Sequence, residues 1–427
     1  MFDLCPTRSH TSRLHGLTVM LSLAWLLLAT ACQPTVRPTL PVQPIDNPAQ
    51  AGARLPRLTP MPDGGTLMSW VEPWSNGHIL KFAVRNDGRW IRQGEIALGD
   101  NWFINWADFP SVRVINPKFW VAHWLVNYPG GGTYEYDIAI AISTDAGVTW
   151  SDPKRPHRDG IAAEHGFATI FPVDEEAGVI WLDGRDYSSK KNGHHSPATS
   201  GNFSLRYSRM DRHGNFGPEQ IIDDNTCTCC GTSVANTTTG PIAAWRSRTH
   251  KEVRDNFTAR LQAGRWSAPQ PLGDDGWEIP GCPVNGPMLA AQGMNVIGAW
   301  YTEEGDHPRV KAAVSNDGGR SFTSPIIVDE HDPFGRIGVV WHTHQSAVIT
   351  WITAPDDATN TPSLALRVLS TDGTIGPIHY LTKVSGGRDS GFPQFSAEPS
   401  GFLLAWTGAA PEYGIHTAWI PTETLAR

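Results

Sequence analysis

Gly65-Thr66-Leu67-Met68-Ser69-Trp70 is the first of seven short segments that end on a tryptophan. The others close at Trp124 (FWVAHW), Trp181 (AGVIW), Trp245 (GPIAAW), Trp300 (NVIGAW), Trp351 (AVITW) and Trp406 (GFLLAW). Successive tryptophans stand 54, 57, 64, 55, 51 and 55 residues apart. A near-constant period of that size, filled with β-type segments, predicts four-stranded propeller blades. Each copy has an earlier short segment, such as RLPRLTP from Arg54, and several have a later one, such as RVKAAVS from Arg309. The later segments run almost continuously apolar, as a strand packed between two neighbouring sheets must. Seven copies predict an all-β fold, a β-propeller of seven blades. A six-bladed ring with one copy misread is the alternative. The last copy leaves only seven residues after Ile420. Its outer strand is therefore expected from residues 36–44, closing the ring as a clasp.

Composition agrees. The 427 residues include 18 Trp, 42 Gly and 34 Pro, which suits short strands and tight turns. The net charge is −8, with no basic stripe, which argues against nucleic acid as a partner. The N-terminus reads as an address. Arg8 and Arg13 precede an apolar run from Leu17 to Leu28, too short for a comfortable membrane span. Leu28-Ala29-Thr30-Ala31-Cys32 resembles the lipobox of bacterial lipoproteins. Residues 1–31 are then expected to be a signal peptide, with Cys32 the lipidated first residue. Residues 32–50 would be a Pro-rich tether and 51–427 the propeller. Gln33 favours the outer membrane, by the same resemblance. An ordinary secretion signal with an incidental cysteine is the alternative.

Two octets carry a family signal. Ser143-Thr144-Asp145-Ala146-Gly147-Val148-Thr149-Trp150 and Ser315-Asn316-Asp317-Gly318-Gly319-Arg320-Ser321-Phe322 follow S-x-D-x-G-x-[TS]-[WF]. The Asp can accept N–H bonds from its own turn, and the Gly supplies a positive φ. Asp87-Gly88 and Asp372-Gly373 are decayed relatives. The pattern resembles the Asp-box, or BNR, repeat of the sialidase superfamily over nearly the whole chain beyond the tether. That resemblance places these aspartates on the rim away from the active site, with no catalytic role.

Chemistry is expected at the axis, where innermost strands begin. Those starts supply Arg54, Asp108, Glu164, His165, Cys229, Cys230, Cys282, Asn285, Arg336, Arg388 and Asp389. The ends of the second strands add Asp183, Arg185, Arg246, Tyr301 and Glu303. The sialidase resemblance implies three arginines gripping a carboxylate, a Tyr–Glu nucleophile and an Asp acid/base. Arg54-Leu55-Pro56 resembles the family's first arginine motif, and Arg336 and Arg388 complete the expected triad. Asp108, Glu164, Tyr301 and Glu303 are the catalytic candidates. The match thins here: the acid expected soon after Arg54 has only Glu72 as counterpart, and Tyr301 stands in no clear nucleophile context. Asp183, Arg185, Arg246, His165 and Asn285 join the ligand-binding set.

The remaining cysteines, Cys227, Cys229, Cys230 and Cys282, form an even set. In an oxidising compartment they are expected to make two disulfides. A soft-metal site, with His165 as a further ligand, is the alternative to an expectation of no cofactor. The loop pair His194-His195 and the HTH at 342–344 read as solvated or structural. The function expected is recognition, and in the further case hydrolysis, of an anionic or carbohydrate ligand at the axial pocket. The rival is a non-catalytic scaffold among envelope proteins.

Overall fold

A computed structural model describes residues 37, 39–187, 201–411 and 413–426. Seven antiparallel sheets follow one another around an axis, as the seven tryptophan segments predict. The six-bladed alternative is excluded. Each innermost strand opens a blade: Arg54–Pro60, Ser111–Val114, His165–Val173, Ser233–Thr237, Met288–Gln292, Gly335–Thr343 and Gln394–Glu398. Contacts between consecutive innermost strands run around the ring and close from blade seven to blade one.

The ring closes on its N-terminal segment. Gln43–Ile45 pairs antiparallel with Ile415–Pro421, adding the fourth strand of blade seven. Thr39 bridges to Tyr380 in blade six. The clasp expected at 36–44 is therefore present, centred a few residues later, and part of the expected tether is built into the propeller. Blade two has three strands, and only the bridge Ile140–Lys154 marks its outer edge. The predicted signal peptide, the lipidation site Cys32 and the His194-His195 pair lie outside the described residues. Among the described residues no helix is long and apolar enough to cross a membrane.

The core is a set of inter-blade layers. Every residue of Tyr136–Ser143 is buried, which explains its unbroken apolar run. The repeated tryptophans lie in the later part of the second strands and are buried, Trp406 only partly. A buried indole N–H needs an acceptor. Trp70 donates to Glu72, Trp181 to Asp183, Trp245 to Asp223, Trp300 to Asp275 and Trp351 to Asp329, at 2.6–2.7 Å. Glu72 is thus an indole acceptor, also paired with Lys81 at 2.9 Å, and not a catalytic acid.

The two full Asp-boxes are built alike. Asp145 accepts from the N–H groups of Val148 and Thr149 and from the Thr149 hydroxyl, while Ser143 Oγ accepts from Gly147 N–H. Asp317 and Ser315 repeat the set with Arg320, Ser321 and Gly319. Asp317 is held at a pKa of about 2; slight burial opposes this, but the Ser321, Ser315 and backbone donors prevail.

Candidate functional site

The axial mouth is shaped by bulges at the entry of the innermost strands. The pairing register slips between Arg54 and Arg57 and between Gly335 and Gly338. Leu55, Phe167, Val284 and Arg336 take positive φ values of 60°, 51°, 50° and 55° at these entries. Bulky residues in that region carry strain of about 1–3 kcal/mol and persist only where neighbours hold them. Here the preceding blade does so. Leu55 N–H donates to Thr407, Phe167 N–H to Asp108 and Arg336 N–H to Asn285, at 3.2, 2.8 and 2.7 Å. Asp108 and Asn285 occupy equivalent places, and each stitches the next blade's bulge.

Asp108 therefore departs from its expected role. It is buried, and besides Phe167 it accepts from Tyr136 Oη at 2.9 Å. The same hydroxyl lies 3.1 Å from Glu164 Oε1. Burial raises Asp108 to about 7, its two hydrogen bonds opposing. Burial likewise raises Glu164 to about 8, with the neighbouring Asp108 and Cys282 adding to it. Glu164 is only half-buried, so it is the member of this trio that meets the mouth. Sequence reasoning missed Tyr136 because it ends no inner strand; it opens a third strand whose first residue reaches the axis.

Blade three's other candidates are bound to one another. His165 is buried among Asp137, Asp159 and Asp183, at 3.5, 3.3 and 3.7 Å. Burial opposes its charge, but the carboxylates prevail and hold the imidazolium up to about 9. Its ring stacks on His157 at 3.7 Å. Arg185 makes a two-pronged pair with Asp183 and reaches Asp159 and Glu219 at 3.1 and 3.0 Å. Asp183, Arg185 and His165 are accordingly structural, not free to grip a ligand.

Blades four and five meet in a similar lock. Arg246, almost wholly buried, donates to the carbonyls of Asn285, Arg254 and Tyr301 at 2.9, 2.6 and 2.7 Å and stacks on Trp277. The Asn285 amide also donates to Phe334 O. Neither is available to a ligand. Tyr301 and Glu303 do pair, at 3.3 Å, but burial and the Glu303 charge push the phenol pKa up, which disfavours a nucleophilic phenolate.

The expected arginine triad divides. Arg336 is buried and donates to Ser390 Oγ and the carbonyls of Gly391 and Gly386. Its guanidinium lies 4.9 Å from the Trp106 ring centroid, and that of exposed Arg388 lies 6.0 Å from the same ring. Arg54 sits apart, over Tyr413 and near His78. Trp106 stacks on Phe392 at 5.8 Å, and Phe109 packs behind at 6.1 Å. Two of the three arginines thus converge on an aromatic platform that sequence reasoning overlooked, because Trp106 lies in a leader loop outside the repeat. Asp389 is spent on Ser385 Oγ and Ala410 N–H at 2.7 and 3.0 Å.

Two further arginines stand at the axis. Arg57, over Phe109, donates to Gln394 at 3.2 Å, and Arg113 lies close enough for its charge to act on it. Burial first, and then Arg113, lowers Arg57 to about 10. Among the described residues neither makes an ion pair. Arg57 was legible only as part of RLPRLTP, and nothing local distinguishes it from Arg54.

The two expected disulfides are absent. Cys227, Cys229, Cys230 and Cys282 are all free thiols. Cys227 Sγ stands 3.8 Å from Cys229 and 3.5 Å from Cys230, in contact but well beyond the roughly 2.05 Å of a bond.

No family's sequence model matches the chain, and no curated protein matches it in sequence. Solved structures do. The GH93 α-L-arabinofuranosidase of Fusarium graminearum, in complex with arabinobiose, gives a TM-score of 0.50 at 11% identity, covering 90% of this chain and 98% of that one. A Dyadobacter fermentans protein of unknown function gives the same TM-score, identity and coverage. A leech intramolecular trans-sialidase gives 0.46 at 9%, covering 84% and 83%. At these identities the likeness is one of fold. The chain is a seven-bladed β-propeller, similar in fold to that arabinofuranosidase.

Proposed function

We propose that the axial mouth binds an anionic carbohydrate. The observation that carries this is the Trp106–Phe392 platform with exposed Arg388 and buried Arg336 on its face. A half-exposed indole offers a flat apolar surface for a sugar ring. Arg388, with no carboxylate partner among the described residues, offers a planar fork to an acidic group. Arg57 and Arg113 leave positive charge at the axis uncompensated, and an anion there would relieve it. The carbohydrate-bound arabinofuranosidase of similar fold supports the reading. A glycan array spanning acidic and neutral oligosaccharides tests it: acidic glycans should dominate the bound set. Retention of neutral glycans alone, or of none, would oppose it.

A hydrolytic reading rests on Glu164. With its pKa raised to about 8 it holds its proton at neutral pH, as a general acid to a glycosidic oxygen must. Tyr136, hydrogen-bonded to both Asp108 and Glu164, would fix its orientation. Any turnover should then fall as pH rises through about 8 and be lost in Glu164→Gln. Export and lipid anchoring through Cys32 complete the proposal. Cys32→Ser should abolish incorporation of a palmitate analogue.

A further inference from the structure

Three thiols meet where blade four adjoins blade five, at the spacing of ligands around a metal ion, and a fourth, Cys282, stands at their edge beside Cys229. In a tetrahedral site with each sulfur about 2.3 Å from the metal, neighbouring sulfurs stand about 3.8 Å apart. Cys227 Sγ lies 3.8 Å from Cys229 Sγ and 3.5 Å from Cys230 Sγ. All three sulfurs fall within 4.8 Å of one another. Cys282 arrives from the loop ahead of the next blade. Its sulfur interacts with that of Cys229 and lies 3.7 Å from Thr228 Oγ1. Cys227 and Cys230 are buried, Cys229 is half-buried and Cys282 is exposed, so the cluster has a closed floor and an open side.

The surroundings suit thiolates. Arg254 Nη1 lies 3.3 Å from Cys227 Sγ, and the Arg246 charge acts on Cys230. Arg246 is held by three carbonyls and makes no ion pair among the described residues, so its charge remains to be offset. Four thiolates leave a net charge of −2 around zinc(II) and −3 around copper(I); Arg246 offsets part of it, and Arg254 shares its charge with Glu252 at 2.7 Å.

We propose that Cys227, Cys229, Cys230 and Cys282 bind one soft d¹⁰ metal ion, zinc(II) or copper(I), in all-thiolate coordination. Each thiol gives up its proton to solvent as its metal–sulfur bond forms, with no change of oxidation state. Cys282 is the ligand through which the ion enters, since it alone is exposed.

The test uses the full chain, reduced and kept anaerobic, titrated with cobalt(II) as a spectroscopic stand-in. One equivalent should produce the intense visible and thiolate charge-transfer bands of a tetrahedral tetrathiolate site. Zinc should then displace the cobalt, and a parallel competition against a copper(I) chelator decides between the two ions. Cys230→Ser should abolish the bands. Cys282→Ser should retain metal with at least tenfold weaker affinity and an altered spectrum. Circular dichroism on both variants separates lost ligation from lost folding. Absence of the bands in folded parent protein would overturn the site, as would an unchanged titration in Cys230→Ser. A parent-like Cys282→Ser would overturn its four-sulfur form. Two disulfides in unreduced protein, with no metal uptake after reduction, would also refute it.

Discussion

Blade three and the sector joining blades seven, one and two use the same residue types to opposite ends. In blade three His165, Arg185 and Arg206 offset Asp183, Asp159 and Glu219. In the other sector Arg57, Arg113 and Arg388 have no carboxylate partner among the described residues, and Arg57 and Arg388 lie over the rings of Phe109 and Trp106. Buried ions cost free energy unless paired, so the first arrangement holds the fold and the second spends stability on something else. The lesson is that charge at a propeller's axis does not by itself mark a site. The balance of charge does.

The largest expected effect lies in the balanced sector. Asp183→Ala removes the acceptor of Trp181 and the partner of Arg185 and His165. Breaking such a buried pair costs about 3–5 kcal/mol, readable by urea denaturation. Ligand binding at the platform should be unchanged wherever the variant remains folded. An Asp183→Ala protein as stable as the parent would erase the distinction between the sectors.

The unbalanced sector should behave inversely. Arg57→Met removes an uncompensated, half-buried charge and should leave stability equal to or above that of the parent. Phosphate or sulfate should raise the parent's melting temperature more than the variant's, because only the parent gains an ion partner. Equal salt responses would show that the Arg57 charge is already met.

Three groups at the axis also titrate in the same direction for different reasons. His165 is raised to about 9, so its contribution is complete below the ordinary histidine pKa and lost as pH rises through about 9. Asp108 and Glu164 are raised to about 7 and about 8, so the native state binds more protons than the unfolded chain in that range. Stability contributed by these protons also declines as pH rises from about 4 towards 8. Asp108→Asn should flatten the melting profile over that lower window and leave the fall near pH 9 intact. A profile unchanged by the substitution would count against a protonated Asp108.

The smallest effect belongs to the rim. Asp317→Ala deletes local turn bonds only and should cost roughly 1 kcal/mol without touching any axial function. The same contrast explains what could be read from sequence. The Asp-box is local: acceptor, donors and glycine lie within eight residues, so the pattern carries the structure. The blade period is visible because every copy must bury its tryptophan beside a matching neighbour. The clasp was legible from a missing strand. The axial mouth is assembled from loops of all seven copies, and its outcome depends on partners remote in sequence. Asp108 looks like a catalytic acid until Phe167 and Tyr136 occupy it. Arg246 and Asn285 look like ligand donors until backbone carbonyls claim them. Trp106, which organises the platform, lies between repeats where no periodicity points to it. The cysteines were visible as a set, but their free, mutually touching arrangement depends on two blades meeting.

The central claim is that Arg388 is free to hold an acid group over Trp106. Isothermal titration of an acidic oligosaccharide selected from the array, into parent and Arg388→Ala protein, addresses it most directly. A charge-assisted pair is worth roughly 1.5–3 kcal/mol, so affinity should fall about ten- to a hundredfold. The melting temperature should stay put, since Arg388 is exposed and forms no ion pair among the described residues. Equal affinity of the two proteins for that ligand would contradict the account.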